Sequence, residues 1–426
     1  MGILPPSPAL PVPPPSSVRD RALVREEPEK RPLRVAFVAS SVPRRCGIAT
    51  FTADILAAVK AADPTVRTVQ AAIDEPSAAR AYGPEVRWRI RQEDGRTYRE
   101  AALAINASSV DIVNVQHEFG LYGLWHDGVY DDHLKVFLEN LTKPVVVTLH
   151  TVPPQPEPWM RQAVRDASDR SDVVVVMAHT AARLLRDVYG IAKEPAVIEH
   201  GMPAIEPRGR HRFKKQFGVE GRQIVSTFGL VDPRKGLEYV IRAMPRIVER
   251  DPRVLYLVVG QTHPELQKKE GETYRNSLIE TARQAGVADH VKFVNEYLTQ
   301  RQIVDYLLAT DVYVTPYLDP NQITSGTLAN ALGAGKAIVS TPYLHAKEVL
   351  EDGRGILVPF RDADAIATAV NGLLSDPAAK KRYEERAYEY GKEMAWPAIG
   401  RRVLALMRDV LEHPALARTQ PEVEVV

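Results

Sequence analysis

The sequence predicts an α/β protein built from two doubly wound parallel domains in tandem, and three observations carry that expectation. Short apolar, β-branched runs alternate with stretches of helical spacing from Leu33 to about 412. A polar, charged interval at 202–223 (MPAIEPRGRHRFKKQFGVEGRQ) divides the alternation into two series. The 426 residues are enough for two or three domains at roughly 100–200 residues each.

Composition narrows the function classes. Hydrophobic residues make up 45% and charged residues 26%, an ordinary globular balance that excludes disorder as the dominant state. Lys and Arg number 55 against 54 Asp and Glu, so no basic excess marks a nucleic-acid or membrane-surface binder. Cys46 is the only cysteine, which excludes an internal disulfide and disfavours a cysteine-rich zinc site. No apolar run approaches the ~18–20 residues that span a membrane, and no basic region followed by an apolar stretch marks a signal peptide. The expected setting is a reducing cytoplasm.

The elements follow in order. Residues 1–32 form a tail in which seven of the first fifteen residues are proline, followed by RDRALVREEPEKRP. Proline lacks the ladder N–H and little apolar surface is present, so a solvated tail is expected, with a Pro-rich ligand for a partner protein as the alternative. LRVAFVAS is the first strand, SVPRRCG a loop, and IATFTADILAAVKAA a helix. VDIVNVQ, KPVVVTLH, DVVVVMA and EPAVIEHG read as further buried strands, with helices at MRQAVRDASDRS and TAARLLRDVYG, giving a first domain over 33–205. The interval at 202–223 is the linker. Strands at RQIVSTFG, VLYLVVG, HVKFVNE, DVYVTPY and KAIVSTP alternate with helices to form a second domain over 215–390. A closing segment, 391–412, carries an amphipathic helix from about 397, and 413–426 is a second loose tail. Such a pair of domains binds ligands in the cleft between the carboxyl ends of its sheets.

Four segments carry candidate chemistry. Gly47, after the first strand, allows backbone N–H groups to approach a phosphate at a helix N-terminus; no GxGxxG is present, so a dinucleotide dehydrogenase is unsupported. His117 and Glu118 (VNVQHEFG) and His150 (VVVTLHT) end strands and face the crevice, where they would bind a hydroxyl or carry a proton. His200 (VIEHG) also ends a strand but lies near the domain boundary and is assigned a mainly structural role. Arg234 and Lys235 in GLVDPRKG are placed to neutralise phosphate. Thr324, Ser325, Gly326 and Thr327 open a helix whose free N–H groups and hydroxyls suit an anion, or simply cap that helix.

Taken together and in this order, the segments resemble the retaining, nucleotide-sugar-dependent glycosyltransferases of family four, which have the GT-B fold of two Rossmann-like domains facing each other across a cleft. The resemblance covers about 33–412. RCGIATFTADIL is similar to their glycine loop and first helix, VQHEFG to the His-Glu element of bacterial mannosyltransferases, and GLVDPRKG to their Gly-Arg-Leu…Lys-Gly loop. ANALGAGKAIVSTPYLHAKEVLEDGRGILVPFRDADAIATAV is similar to their glutamate-alanine helix and the segments after it, and the helix beginning near Trp396 to the one that crosses back to the first domain.

The resemblance implies a catalytic set of His117, Lys235 and Gln322. It implies a donor-binding set of Gly47, Arg234, Gly260, Thr324, Ser325, Gly326, Thr327 and Asn330, and acceptor contacts at Glu118 and His150. Three departures stand out. Leu230 replaces a phosphate-binding arginine, and Gln322 and Asn330 replace two donor-site glutamates. The Asp-x-Asp of RDADA (361–365) reads as a helix cap, so no metal or other cofactor is expected. The implied reaction moves a hexosyl group, mannosyl by the His-Glu element, from a nucleotide diphosphate sugar to an acceptor hydroxyl without a metal and with retention. A sugar phosphorylase or epimerase on the same fold, and a non-catalytic nucleotide-sugar- or carbohydrate-binding subunit, are the competing expectations.

Overall fold

The computed structural model describes residues 31–76 and 79–415. The Pro-rich tail, with its proposed partner-binding role, and the final loose tail fall almost wholly outside these residues. No helix among the described residues is long and apolar enough to cross a membrane.

The first sheet begins with β1 (Arg34–Ala39), β2 (Arg67–Asp74), β3 (Val86–Arg91) and β4 (Ile112–His117). A separate two-stranded ribbon of β5 (Gly123–His126) and β6 (Val129–Asp132) comes next, and β7 (Val145–Leu149), β8 (Val173–Val176) and β9 (Ala196–Val197) complete the sheet. All seven strands of the sheet run parallel, in the order β3-β2-β1-β4-β7-β8-β9. The second sheet is also parallel, with β10 (Gln223–Phe228), β11 (Val254–Val259), β12 (Val291–Val294), β13 (Val312–Thr315), β14 (Ala337–Ser340) and β15 (Ile356–Leu357) in the order β12-β11-β10-β13-β14-β15. Every residue of β4 and of β11 is buried, as expected for parallel strands covered by helices on both faces. In each sheet the winding reverses once, at β1/β4 and at β10/β13, and the crevice at such a switch point is where these sheets bind ligands.

Two stretches differ from the sequence expectation. β2 and β3 (RTVQAAID and VRWRIR) carry too many polar and charged residues to read as buried strands. β3 is an edge strand that alternates in burial, which is where such a pattern is tolerated. The interval at 202–223 is not a bare linker, because it contains the helix Arg210–Gln216. Its charge is structural: Lys214 Nζ lies 2.6 Å from the buried Asp311 carboxylate, which also accepts 2.7 Å from the Ile224 N–H. In RDADA, Asp362 does cap its helix, accepting 2.8 Å from the Ala365 N–H.

The chain passes between the two lobes twice, and the passages are bonded to each other. The Met202 N–H donates to Met394 O at 2.9 Å, and the Trp396 N–H donates to Met202 O at 2.8 Å. After the second passage the helix Trp396–Glu412 returns to the first lobe. It packs Ile399, Val403, Leu404, Met407 and Val410 into the core formed by Val35, Phe37, Ile55 and Val59. Gly400 permits this, since a Cβ there would collide with the Ala58 carbonyl oxygen of the helix Gly47–Ala62. A hydrogen-bonded tie also joins the lobes: the Glu348 carboxylate accepts from the His179 and Thr180 N–H groups (2.7 and 2.8 Å) that open the helix His179–Asp187.

Candidate active site

A cavity of about 510 Å³ is lined by the loops that leave the carboxyl ends of both sheets at their switch points. Its two walls are built differently.

The first wall starts from the helix Gly47–Ala62. Cys46 caps it, Sγ accepting from the Ala49 N–H, and Gly47, Thr50, Phe51 and Asp54 recur on one helical face and line the cavity. A Cβ on Gly47 would meet nothing within 4 Å, so the glycine leaves that wall open. Burial pushes the Asp54 carboxyl up to about 6, and no hydrogen bond or ion pair to it is found among the described residues. Glu118 and Thr151 extend the wall. The Glu118 carboxylate accepts from the Phe119 N–H (2.9 Å) and the Thr151 hydroxyl (2.8 Å), yet burial still raises its pKa. His150 Nε2 lies 2.8 Å from Gln116 Oε1, and the Gln116 amide donates onward to Asn114 Oδ1. This chain assigns the proton to Nε2 and leaves Nδ1 as the acceptor. Burial, with His200 and His117 adding to it, lowers His150 to about 3, so the ring is neutral at physiological pH.

Phe51 sits at the centre of an aromatic box. Its ring centroid lies 4.7 Å from His150, 5.1 Å from His200 and 5.4 Å from Trp396. His200 therefore lines the cavity as well as packing in this box beside the domain boundary. Its Nδ1 is 2.7 Å from Gly201 O, and Nε2 faces Gly326 on the opposite wall. Burial lowers its pKa.

The second wall contains a close approach of main chain to main chain. Phe228, Gly229 and Leu230 follow β10, and Val259, Gly260 and Gln261 follow β11. Gly260 has φ +145°, and a Cβ there would collide with the Gly229 carbonyl oxygen, so only glycine fits. Thr324, Gly326, Thr327 and Asn330 extend the wall at the start of the helix Gly326–Gly333, and the segment Glu296–Gln300 with Ile303 completes it. Ser325 caps that helix, its Oγ accepting 3.3 Å from the Leu328 N–H, and its own N–H donates 3.1 Å to His345 Nδ1. Burial lowers His345 to about 4, which keeps that nitrogen an acceptor. At the mouth, the Arg45 guanidinium of one lobe lies 5.8 Å from the Tyr297 ring of the other.

The sequence-derived residues divide accordingly. Gly47, Gly260, Thr324, Gly326, Thr327, Asn330, Glu118 and His150 line the cavity together, whereas His117, Arg234, Lys235, Gln322 and Ser325 do not. The expectation that His117 faces the crevice is corrected. Its side chain is 2% exposed and stacks on Tyr122 (5.9 Å, 6° between planes), and burial lowers it to about 4. Lys235 Nζ lies 3.7 Å over the Tyr317 ring, whose hydroxyl is 2.7 Å from Thr327 Oγ1. Arg234 forks onto Asp232 at 2.9 Å, and Gln322 Nε2 donates 3.1 Å to its own loop at Thr324 O. Asp54 and His345 went unread in the sequence. Asp54 carries a signal, one turn beyond Phe51 on the Gly47 face, but His345 carries none.

Residues 209–392 match the model of the family described as glycosyl transferases group 1. The chain is 28% identical over 193 residues to phosphatidyl-myo-inositol mannosyltransferase of Mycolicibacterium smegmatis, covering 45% of this chain and 46% of that protein. It is 29% identical over 234 residues to the GDP-mannose-dependent alpha-(1-6)-phosphatidylinositol monomannoside mannosyltransferase of the same organism, covering 52% and 57%. These matches therefore span about half the length of each relative. The fold is that of HepE of Anabaena, solved with UDP and glucose, at TM-score 0.68 and 16% identity over 88% of this chain and all of that one. The architecture is GT-B, two Rossmann-like domains facing each other across a cleft.

Proposed function

We propose that this chain, whose residues 209–392 form a group 1 glycosyl transferase domain, moves a hexosyl group from a nucleotide diphosphate sugar to an acceptor hydroxyl. One observation carries the reading: the N-termini of the helices Gly47–Ala62 and Gly326–Gly333, from opposite lobes, open into one cavity. Two converging helix N-termini suit a diphosphate, whose charge grows as the sugar leaves.

The second wall takes the nucleotide and sugar of the donor, and Gly47 at the helix start of the first wall shares its diphosphate. Gly229 and Gly260 bring main chain to the nucleotide, and Gly326, Thr327 and Asn330 supply N–H, hydroxyl and amide groups to phosphate and sugar. Lys235 supports this wall through Tyr317 and Thr327. The first wall takes the acceptor: Glu118, His150 Nδ1 and Asp54 are its hydroxyl-binding groups. The departing diphosphate receives the acceptor proton, and the sugar keeps its anomeric configuration. The donor sugar is mannose, in keeping with the His-Glu element and the two mannosyltransferase relatives. HepE, crystallised with UDP and glucose, offers the comparison donor.

Calorimetric titration with GDP, UDP, ADP and their hexose conjugates tests this directly. Saturable binding of one nucleotide class, followed by sugar transfer from that donor, is the expected result. No binding of any nucleotide would overturn the assignment.

A further inference from the structure

The ribbon β5–β6 belongs to neither central sheet. Its strands are joined by Asp127 and Gly128, both left-handed (φ +49° and +82°), as a two-residue hairpin turn requires. The ribbon is fixed from beneath. Gln92 Nε2 donates to Gly120 O and Gly123 O (2.8 and 3.0 Å), and the His133 N–H donates to Tyr122 O at 2.8 Å. On it, Trp125 and Tyr130 stand directly opposite each other, 5.5 Å apart, and both pack on Trp159 (5.3 and 4.8 Å). Phe119 closes the cluster at 5.4 Å from Trp159. Trp125 is nonetheless 53% exposed, a large apolar ring packed on Tyr130 and Trp159 yet open to water.

The cluster is continuous with the first wall of the cavity. Phe119 follows the wall residue Glu118, and Thr151, bonded to Glu118, begins the segment that leads to Trp159. Along the ribbon and the segment leading to Trp159, the charges in the sequence are of one sign. Residues 118–132 contain Glu118, Asp127, Asp131 and Asp132 with no Lys or Arg, and 151–159 contain only Glu157, which accepts from Trp159 Nε1 at 2.7 Å. Aromatic faces beside carboxylates suit a neutral polyol, whose C–H face packs on the ring while its hydroxyls donate to the acids. The same acids repel an anionic lipid surface.

We infer that Trp125, Tyr130, Trp159 and Phe119 form a platform for the sugar rings of a neutral oligosaccharide acceptor, with the reacting end in the cavity and the remaining rings along the ribbon. This rests on the proposed transfer reaction for its meaning as an acceptor site, but the binding itself needs no donor. The test is titration of the full chain, without nucleotide, with neutral hexasaccharides of glucose, mannose, galactose and N-acetylglucosamine, read by tryptophan fluorescence and calorimetry. One of these glycans should bind. Trp125→Ala should weaken that binding at least tenfold and Trp125→Phe by less, with unchanged melting. Binding of none, or equal binding by Trp125→Ala, overturns the platform. Capture by phosphatidylcholine–phosphatidylglycerol vesicles that is lost in Trp125→Ala overturns it in favour of a lipid surface. Nucleotide titration of the wild-type chain is scored separately: its failure removes the transfer reaction and leaves the glycan result standing on its own.

Discussion

The two walls of the cavity are built by different means. The second turns on main chain at two points, where Gly229 and Gly260 touch backbone to backbone and where the helix Gly326–Gly333 begins, with the side chains of Glu296–Gln300 beside them. The first is drawn in side chains whose ionisation burial has shifted, with Asp54 and Glu118 up and His150 and His200 down. Main-chain recognition tolerates sequence change provided a few glycines and a helix start persist, whereas side-chain recognition changes with each substitution. The family match agrees with that division, since it covers 209–392, the lobe of the main-chain wall, and stops short of the other. On the proposed transfer reaction, a nucleotide shared by many enzymes belongs with the main-chain contacts of the second wall, and an acceptor that differs among them belongs with the side chains of the first.

The sharpest break of this contrast is Gly260→Ala. At φ +145° a methyl group would collide with Gly229 O, so the two strand ends must part. Nucleoside diphosphate binding is expected to fall at least 100-fold, with a strain cost of about 1–3 kcal/mol visible in thermal melting. Retained affinity would show that the main chain at this point does not form the donor wall.

Asp54→Asn probes the other wall and should have the next largest effect. The Asp54 pKa is raised by burial from 3.8 to about 6, so its neutral form is the one the fold favours. That contribution is full below pH 3.8 and is lost as pH rises through 6. Asparagine should therefore melt higher than the wild type at pH 7.5 and lose that advantage by pH 4. Transfer should drop about 10- to 100-fold, and its acidic limb near pH 6 should disappear, if the carboxylate binds the acceptor hydroxyl. Nucleotide binding should not change. A loss on the nucleotide side would merge the two walls into one site.

How far the sequence discloses these walls depends on the kind of recognition. The second wall is legible in part: glycines after strands and a Thr-Ser-Gly-Thr helix start are local signals, and Gly260, Thr324, Gly326 and Thr327 line the cavity, whereas Arg234, Lys235, Gln322 and Ser325 of the same lobe do not. The β-branched runs disclosed the central strands for the same reason, while β2 and β3, with Arg67, Gln70, Arg87 and Arg89, did not look buried. On the first wall, the direction of a side chain at a strand end decides everything, and successive residues point to opposite faces. His117 turns into the core against Tyr122 whereas Glu118, the next residue, reaches the cavity. His200 reaches it through the packing of Phe51 and Trp396, residues far apart in the chain. Helix faces are equally silent until the neighbours are known, which hid Asp54.

Glu348 tests whether the walls act as one unit, and its effect should be the smallest. Its carboxylate, in the second lobe, caps the helix His179–Asp187 of the first. Burial pulls its pKa up, but bonds from Thr180 and His179, with His345 nearby, outweigh this and hold it below 4.5. A carboxyl with a depressed pKa stabilises the fold above its unfolded value and ceases to do so as pH falls through the folded one. Glu348→Gln should therefore cost about 1 kcal/mol at pH 7, the usual worth of a helix N-cap, and the difference should shrink below about pH 4.5. Because the residue holds wall to wall and touches neither ligand's surface, nucleotide binding alone should be unchanged. Transfer, which needs both walls in register, should fall only a few-fold. An equal loss in nucleotide binding would mean that the donor wall depends on the first lobe for its shape, and the separation between main-chain and side-chain recognition would then be a property of the surfaces but not of their energetics.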